Sequence, residues 1–309
     1  MAGSPILATR RAVLAGAALL PAFLPGALRA AEGAGALIRR PIPSSGEQLP
    51  AIGIGTSRRY EVEPVPEKIA PLREAVERFV ALGGTVIDTA PSYGTAEDVL
   101  GQILQGGLRE KVFLASKVSE TGREAGAAQI ARSFERLRTD RIDLIAVHNL
   151  IDPASNLATV RDLKAKGRVR YVGVTVWRDG QFAELEPLMK REALDFIQVN
   201  YAIDNRAAAE RVLPLAAERG MAVMVNVPFG RDRLFKAVQG RELPPWAAEF
   251  DCASWPQFFL KYVLANPAVT CPIPGMAKIA YVEDNLGAAR GRLPDAAARA
   301  RMEAFIDAL

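Results

Sequence analysis

Eight short apolar runs, each followed by a segment with helical spacing, constrain the fold of this chain more than any other feature. The runs are "LPAIGIGT" (49–56), "TVID" (85–88), "VFLASK" (112–117), "DLIAVH" (143–148), "YVGVTV" (171–176), "FIQVN" (196–200), "MAVMVNVP" (221–228) and "VTCPIP" (269–274). Segments 67–81, 96–104, 125–137, 156–166, 181–190, 207–219 and 256–265 repeat apolar residues every three to four positions, and 295–309 adds an alanine-rich helical tail. Strands apolar on both faces belong to a parallel sheet covered by helices. Eight such units in 309 residues predict a (β/α)8 TIM barrel rather than an open doubly wound sheet. The rival sheet would need a glycine fingerprint, and after Gly53 and Gly55 the third place is Arg58 with no helical stretch behind it. "IRRPIPSSGEQLPAIGIGT" predicts a β-hairpin turning at Ser44-Ser45-Gly46, ahead of or running into the first barrel strand. The connection 229–254 is long and irregular, which reads as a lid or binding loop.

The barrel is expected over residues 36–309, because the N-terminus has another character. Arg10 and Arg11 precede an uncharged stretch, 12–28, broken by Pro21 and Pro25 and followed by small residues. That is short for a membrane span and matches an export signal over residues 1–31, with the paired arginines favouring the twin-arginine route. Cleavage near residues 30–34 would leave a periplasmic chain with no stable membrane span. The formal charge of +4 falls to +1 without Arg10, Arg11 and Arg29, the only charges in 1–31, so nucleic acid is not an expected partner. Two cysteines and one histidine are too few soft ligands for a catalytic zinc site, and no metal is expected. Cys271 sits in an apolar run and reads as a small buried hydrophobe.

In a barrel of this kind chemistry belongs at the carboxyl ends of the strands. Four polar residues stand at or just past consecutive ends: Asp88, Tyr93, Lys117 and His148. Taken singly each has a structural explanation, as a loop cap, a turn residue, a snorkelling cation or a satisfied core histidine. Jointly they have a task. Adjacent parallel strands lie about 5 Å apart, so the ends converge. A buried lysine needs a carboxylate, and Asp88 is next door. The ammonium is then expected to acidify the Tyr93 phenol, while His148 holds a carbonyl oxygen or relays a proton. Such a group can protonate an oxygen while something else supplies hydride. Glu97 and Asp98 read as structural acids opening the next helix at its positive end.

With these residues in place the sequence resembles the aldo-keto reductases. The motifs are "GTVIDTAPSYGTAEDVLG", "VFLASKV", "DLIAVHN", "GRVRYVGVT", "FIQVNY" and "CPIPGMAKIAYVEDNLGAA", in family order and spacing across residues 38–289. The resemblance implies a barrel that binds NADP(H) in extended form at its carboxyl face, with NAD(H) left open. It implies Tyr93 as general acid, Lys117 and Asp88 tuning it, and His148 orienting a small-molecule carbonyl. Cofactor contacts carry over to Gly55, Thr56, Thr175, Gln198, Gly275, Asp284 and Asn285. Departures are Val176 for an expected asparagine, Asn226 for the aromatic that stacks on nicotinamide (with Phe229 as a substitute), and Tyr281 for a basic residue, with Lys278 one helical turn earlier. Trp177 is a candidate pocket residue. The expected activity is NAD(P)H-dependent reduction of aldehydes or ketones to alcohols; the competing expectation is an exported nucleotide- or partner-binding barrel with little turnover.

Overall fold

A computed structural model describes residues 1–3 and 35–309; the expected export signal lies outside the described residues. The unit Gly35–Leu309 opens with an antiparallel hairpin, β1 (Arg39–Pro41) and β2 (Gln48–Pro50). Eight parallel strands follow in unbroken sequence order: β3 (Ile54–Gly55), β4 (Val86–Asp88), β5 (Phe113–Val118), β6 (Ile142–His148), β7 (Val169–Thr175), β8 (Phe196–Asn200), β9 (Ala222–Asn226) and β10 (Cys271–Pro272). The ring closes where Gly55 bridges Gly275 and its N–H donates to the Pro274 carbonyl at 2.9 Å. A Cβ on Gly55 would stand 2.5 Å from the Ile273 carbonyl oxygen, so the seam requires glycine there.

The helices are α1 (Pro66–Ala81), α2 (Ala96–Ile103), α3 (Arg123–Arg136), α4 (Pro153–Ala165), α5 (Phe182–Arg191), α6 (Val212–Glu218), α7 (Arg233–Ala237), α8 (Trp255–Leu264), α9 (Ile279–Gly287) and α10 (Ala296–Asp307). Their apolar faces and the outward strand residues form one large core, with Ile69, Leu72, Val76 and Phe79 of α1 as typical members. A separate plug fills the barrel interior: Phe113, Tyr171 and Phe196 stack within 5.6–5.8 Å, next to Val86, Leu144, Met224 and Cys271, and Ile42 and Leu49 of the hairpin cap it from below. Ser45 and Glu47 fasten the hairpin to the barrel through the Tyr171 hydroxyl at 2.8 and 2.6 Å.

Two expectations change. The apolar run 49–56 serves two sheets: its first residues pair with β1 and only Ile54–Gly55 enters the barrel. Segment 229–254 is not irregular throughout. It contains α7 and a 3-10 turn (Pro245–Phe250), and its rings are packed, Phe229 on Phe235 at 4.9 Å and Trp246 on Phe258 and Phe305 at 5.6 and 6.0 Å. Glu97 stands in the first turn of α2 as expected and is fully buried there, accepting from Ser116 and Ser133 at 2.8 and 3.2 Å and lying 3.5 Å from Arg136. Burial raises its carboxyl above the ordinary value. Both cysteines are buried free thiols.

Candidate active site

The strand register assembles the four polar residues. Asp88 pairs with Ala115, placing it beside Lys117 two residues further along β5, and Lys117 in turn pairs with Ala146, two residues before His148. Asp88 and Lys117 are 3 % and 1 % exposed, so their charges face each other with almost no water. All three ammonium protons have acceptors: Asp88 Oδ1 at 2.9 Å, Asp88 Oδ2 at 2.7 Å and the Thr89 carbonyl at 2.8 Å. A buried pair survives only when its desolvation is offset by such complete bonding. Burial opposes the Lys117 charge, but Asp88 and the Tyr93 oxygen outweigh it and hold the ammonium above its ordinary value.

Tyr93 sits in the turn between β4 and α2, half-buried, with Lys117 Nζ 5.0 Å from its ring centroid. Here the structure corrects the expectation of an acidified phenol. Burial raises its pKa; Lys117 pulls it down, and Asp88 pushes it back up, leaving it above 10. Tyr93 is therefore a fully protonated donor throughout the neutral range. The His148 ring meets it edge-on, 6.2 Å between centroids at 85°. Burial and the Lys117 charge lower the His148 pKa to about 3, so the imidazole is neutral near pH 7 and offers one N–H donor and one acceptor. A neutral imidazole and a neutral phenol whose ring centroids are 6.2 Å apart are close enough to bond one carbonyl oxygen between them.

A second layer supports Asp88. Gln198 Nε2 donates to Asp88 Oδ1 at 3.0 Å, and its Oε1 accepts from Thr175 Oγ1 at 2.8 Å. Two of the expected cofactor residues thus join the ion pair in a chain, Thr175 to Gln198 to Asp88 to Lys117. Thr56 is fully buried, its hydroxyl donating to the Asp88 carbonyl at 3.0 Å, which braces the strand end. Asn226 donates to the Val176 carbonyl at 3.0 Å across the end of β8. Phe229 is half-buried and packs against Phe235 and Phe259 at 4.9 and 6.4 Å between ring centroids. Asp284 Oδ1 accepts from Ser254 and Gln257 at 2.7 and 2.8 Å, while Asn285 is buried in α9 and Gly275 lies at the barrel seam under Arg59.

Buried oxygens without a partner gather at this same face: Thr89 Oγ1, Asn149 Oδ1, Asn200 Oδ1 and Asn226 Oδ1 follow or end β4, β6, β8 and β9. Unpaired buried acceptors and a hydroxyl are costly, and a polar ligand lying across the strand ends would satisfy them. The sequence reading missed Thr89 and Glu97, whose roles arise from the backbone path and from burial. By contrast, a hollow of about 550 Å³ lined by Gln105, Arg109, Arg138 and Arg168 lies among the loops that enter the strands, at the end opposite this chemistry. Among the described residues no group of acidic, histidine or cysteine side chains is arranged to hold a metal.

A closed parallel barrel with an Asp-Tyr-Lys-His cluster at its carboxyl end defines a class, and comparison with known proteins agrees. The aldo/keto reductase family model matches residues 51–305, and the chain belongs to that family. It is an oxidoreductase acting on carbonyl groups. The sequence is 33 % identical over 247 residues to methylglyoxal reductase YeaE of Escherichia coli (strain K12), covering 77 % of this chain and 84 % of that protein. Among solved structures, an aldo-keto reductase from Klebsiella pneumoniae in complex with NADPH superposes with a TM-score of 0.74 at 25 % identity, over 87 % of this chain and 96 % of that one. Another solved structure, of aldo/keto reductase from Klebsiella pneumoniae in complex with NADP and acetate, gives 0.71 at 26 % identity, over 84 % and 93 %.

Proposed function

We propose that the protein reduces aldehyde or ketone carbonyls to alcohols with NADP(H), Tyr93 donating the proton. The observation that carries the assignment of roles is the saturated Lys117 ammonium: with both Asp88 oxygens and the Thr89 carbonyl as acceptors, it is locked charged beside the Tyr93 ring. A fixed cation there stabilises the phenolate that forms once the proton has left. The nicotinamide nucleotide supplies the hydride when bound. His148, neutral, donates to the carbonyl oxygen and orients it toward Tyr93. The orphaned oxygens at the strand ends and the seam glycines suit a polar nucleotide, with Gly55, Gly275, Gln198, Asn200, Asn226 and Asn285 as its holders.

The relatives guide the first assays. Methylglyoxal reductase YeaE and the Escherichia coli NADH-specific methylglyoxal reductase, 24 % identical over 268 residues, favour small 2-oxoaldehydes as substrates and keep NADH in contention with NADPH. Titrating NADPH and NADH by fluorescence, then following methylglyoxal reduction by nucleotide absorbance, tests the reading. Binding with turnover supports it; binding without turnover of any aldehyde or quinone would favour a nucleotide-binding role instead. Export by the twin-arginine route belongs to the same proposal, on the strength of Arg10-Arg11 and the apolar stretch behind them. Cell fractionation of the wild type against an Arg10→Lys/Arg11→Lys variant tests it; a wild type retained in the cytoplasm at full length would contradict it.

A further inference from the structure

Glu97 is fully buried, yet proton transfer from Tyr93 gives it no direct task. Its bonds run toward the two residues that matter most to that transfer. Oε1 accepts from Ser116 Oγ at 2.8 Å, and Ser116 immediately precedes Lys117 in β5. Successive side chains of a strand face opposite ways, so Ser116 meets the helix layer while Lys117 turns inward to Asp88. Oε2 accepts from Ser133 of α3 at 3.2 Å and lies 3.5 Å from the Arg136 guanidinium. Arg136 in turn donates to the carbonyl oxygen of Gly94, the residue after Tyr93, and to Asp98 Oδ2 at 3.0 Å. One cluster therefore grips the Tyr93 turn at Gly94 and the Lys117 strand at Ser116.

The turn that carries Tyr93 does not hold itself. α2 starts at Ala96 without a side-chain cap, because Thr95, in the capping place, gives its hydroxyl to the Val62 carbonyl at 2.6 Å. Inside the turn there are backbone bonds, from the Tyr93 N–H to the Ala90 carbonyl at 3.0 Å and from the Ala96 N–H to the Tyr93 carbonyl at 2.9 Å. Arg136 can reach across because α3 ends in close contact with α2, where a Cβ on Gly101 would stand 2.0 Å from the Arg136 carbonyl oxygen. A guanidinium suits this place: its planar fork bonds Gly94 and Asp98 at once, and it keeps its charge at every working pH. We propose that Arg136 and Glu97 are positioning residues for proton transfer, fixing the Tyr93 phenol against the Lys117 ammonium and so setting the rate at which the proton reaches the carbonyl oxygen. This rests on the roles given to Tyr93 and Lys117 in carbonyl reduction and adds two residues that act through them.

The test is single-turnover reduction of methylglyoxal by NADPH-loaded protein in two backgrounds, wild type and Tyr93→Phe. Arg136→Met removes the cation, Arg136→Lys keeps it without the planar fork, and Glu97→Gln keeps the shape without the charge. Urea titrations show which variants are folded, and the two conservative ones carry the test if Arg136→Met is not. With Tyr93 present, Arg136→Met should slow hydride transfer by about a hundredfold, the cost of misplacing a reacting group by about 1 Å. Arg136→Lys and Glu97→Gln should fall between it and the wild type, with NADPH affinity and the KM for methylglyoxal nearly unchanged in all three. In Tyr93→Phe the same substitutions should alter the residual rate by no more than about twofold, because the group they position has gone. Equal slowing in both backgrounds would reveal a purely structural cluster and overturn the proposal while leaving the carbonyl-reductase reading intact. Folded variants that keep the wild-type rate would do the same. A Tyr93→Phe protein as fast as the wild type, or a wild type without turnover, would overturn the proposal together with the reading on which it rests.

Discussion

Lys117 Nζ lies 2.9 and 2.7 Å from the two carboxylate oxygens of Asp88, and both side chains are almost wholly removed from water. This pair connects the core of the barrel to its chemistry: one residue ends β4, its partner lies in β5, and Tyr93 is held against them. Removing one partner leaves an uncompensated buried charge, whereas removing both leaves only a packing problem. Asp88→Asn should therefore lower unfolding stability by about 3–5 kcal/mol in urea titrations. The double variant Asp88→Asn/Lys117→Met should recover a large part of that loss while remaining inactive. Equal stabilities for the single and double variants would show that the charge is not buried as described.

His148 is the only histidine, which makes its titration directly observable. Its pKa falls from 6.5 to about 3 in the folded chain through burial and Lys117. The unfolded chain then holds the extra proton between these values, so stability rises with pH across that window and is lost as pH falls below 6.5. The slope from this group is at most about 1.4 kcal/mol per pH unit. A tag-free sample should show a single set of imidazole NMR resonances that does not titrate between pH 5 and 8, and His148→Gln should flatten the acid limb of the stability profile. Because Tyr93 is held above 10, kcat/KM should also be flat from about pH 6 to pH 9.

Gly101 lies inside α2, where alanine ordinarily gains about 1 kcal/mol over glycine. Here a Cβ would come within 2.0 Å of the Arg136 carbonyl oxygen at the end of α3. Gly101→Ala should thus destabilise by about 1–3 kcal/mol, read as a lowered urea midpoint, because backbone must move to admit it. A gain in stability would show that α2 and α3 do not approach so closely.

Trp246 ties segment 229–254 to α8 and α10 through Phe258 and Phe305. Trp246→Ala should release that segment, so that trypsin cuts at Arg241 and neighbouring basic residues while the remaining barrel resists. Unchanged protection would mean that the aromatic packing does not hold the loop.

The barrel was legible because its strands are apolar on both faces, a pattern that neither an amphipathic helix nor an open sheet edge reproduces. The short ends of the ring were not, since β3 and β10 are two-residue strands whose neighbours 49–50 and 273–274 are equally apolar but serve the hairpin and the seam. The cluster of Asp88, Tyr93, Lys117 and His148 could be read from consecutive strand ends. Its electrostatics could not: proximity to Lys117 argues for an acidic phenol, and only the extent of burial and the Asp88 charge reverse the sign. The burial of Glu97 is hidden for the same reason, as its helix position is visible in sequence while Ser116 and Ser133 across the core are not. Trp177, a candidate pocket residue, has the guanidinium carbons of Arg178 and Arg231 4.5 and 4.2 Å from its ring centroid, a meeting of two loops that no local pattern encodes.

The most direct test of the central claim is single-turnover reduction of methylglyoxal by NADPH-loaded wild type and Tyr93→Phe, with nucleotide affinity measured alongside. A positioned general acid contributes about 10²–10⁴ in rate, so Tyr93→Phe should slow hydride transfer by at least a hundredfold at nearly unchanged NADPH affinity. A variant that retains more than a tenth of the wild-type rate would contradict the account, because the proton would then come from elsewhere.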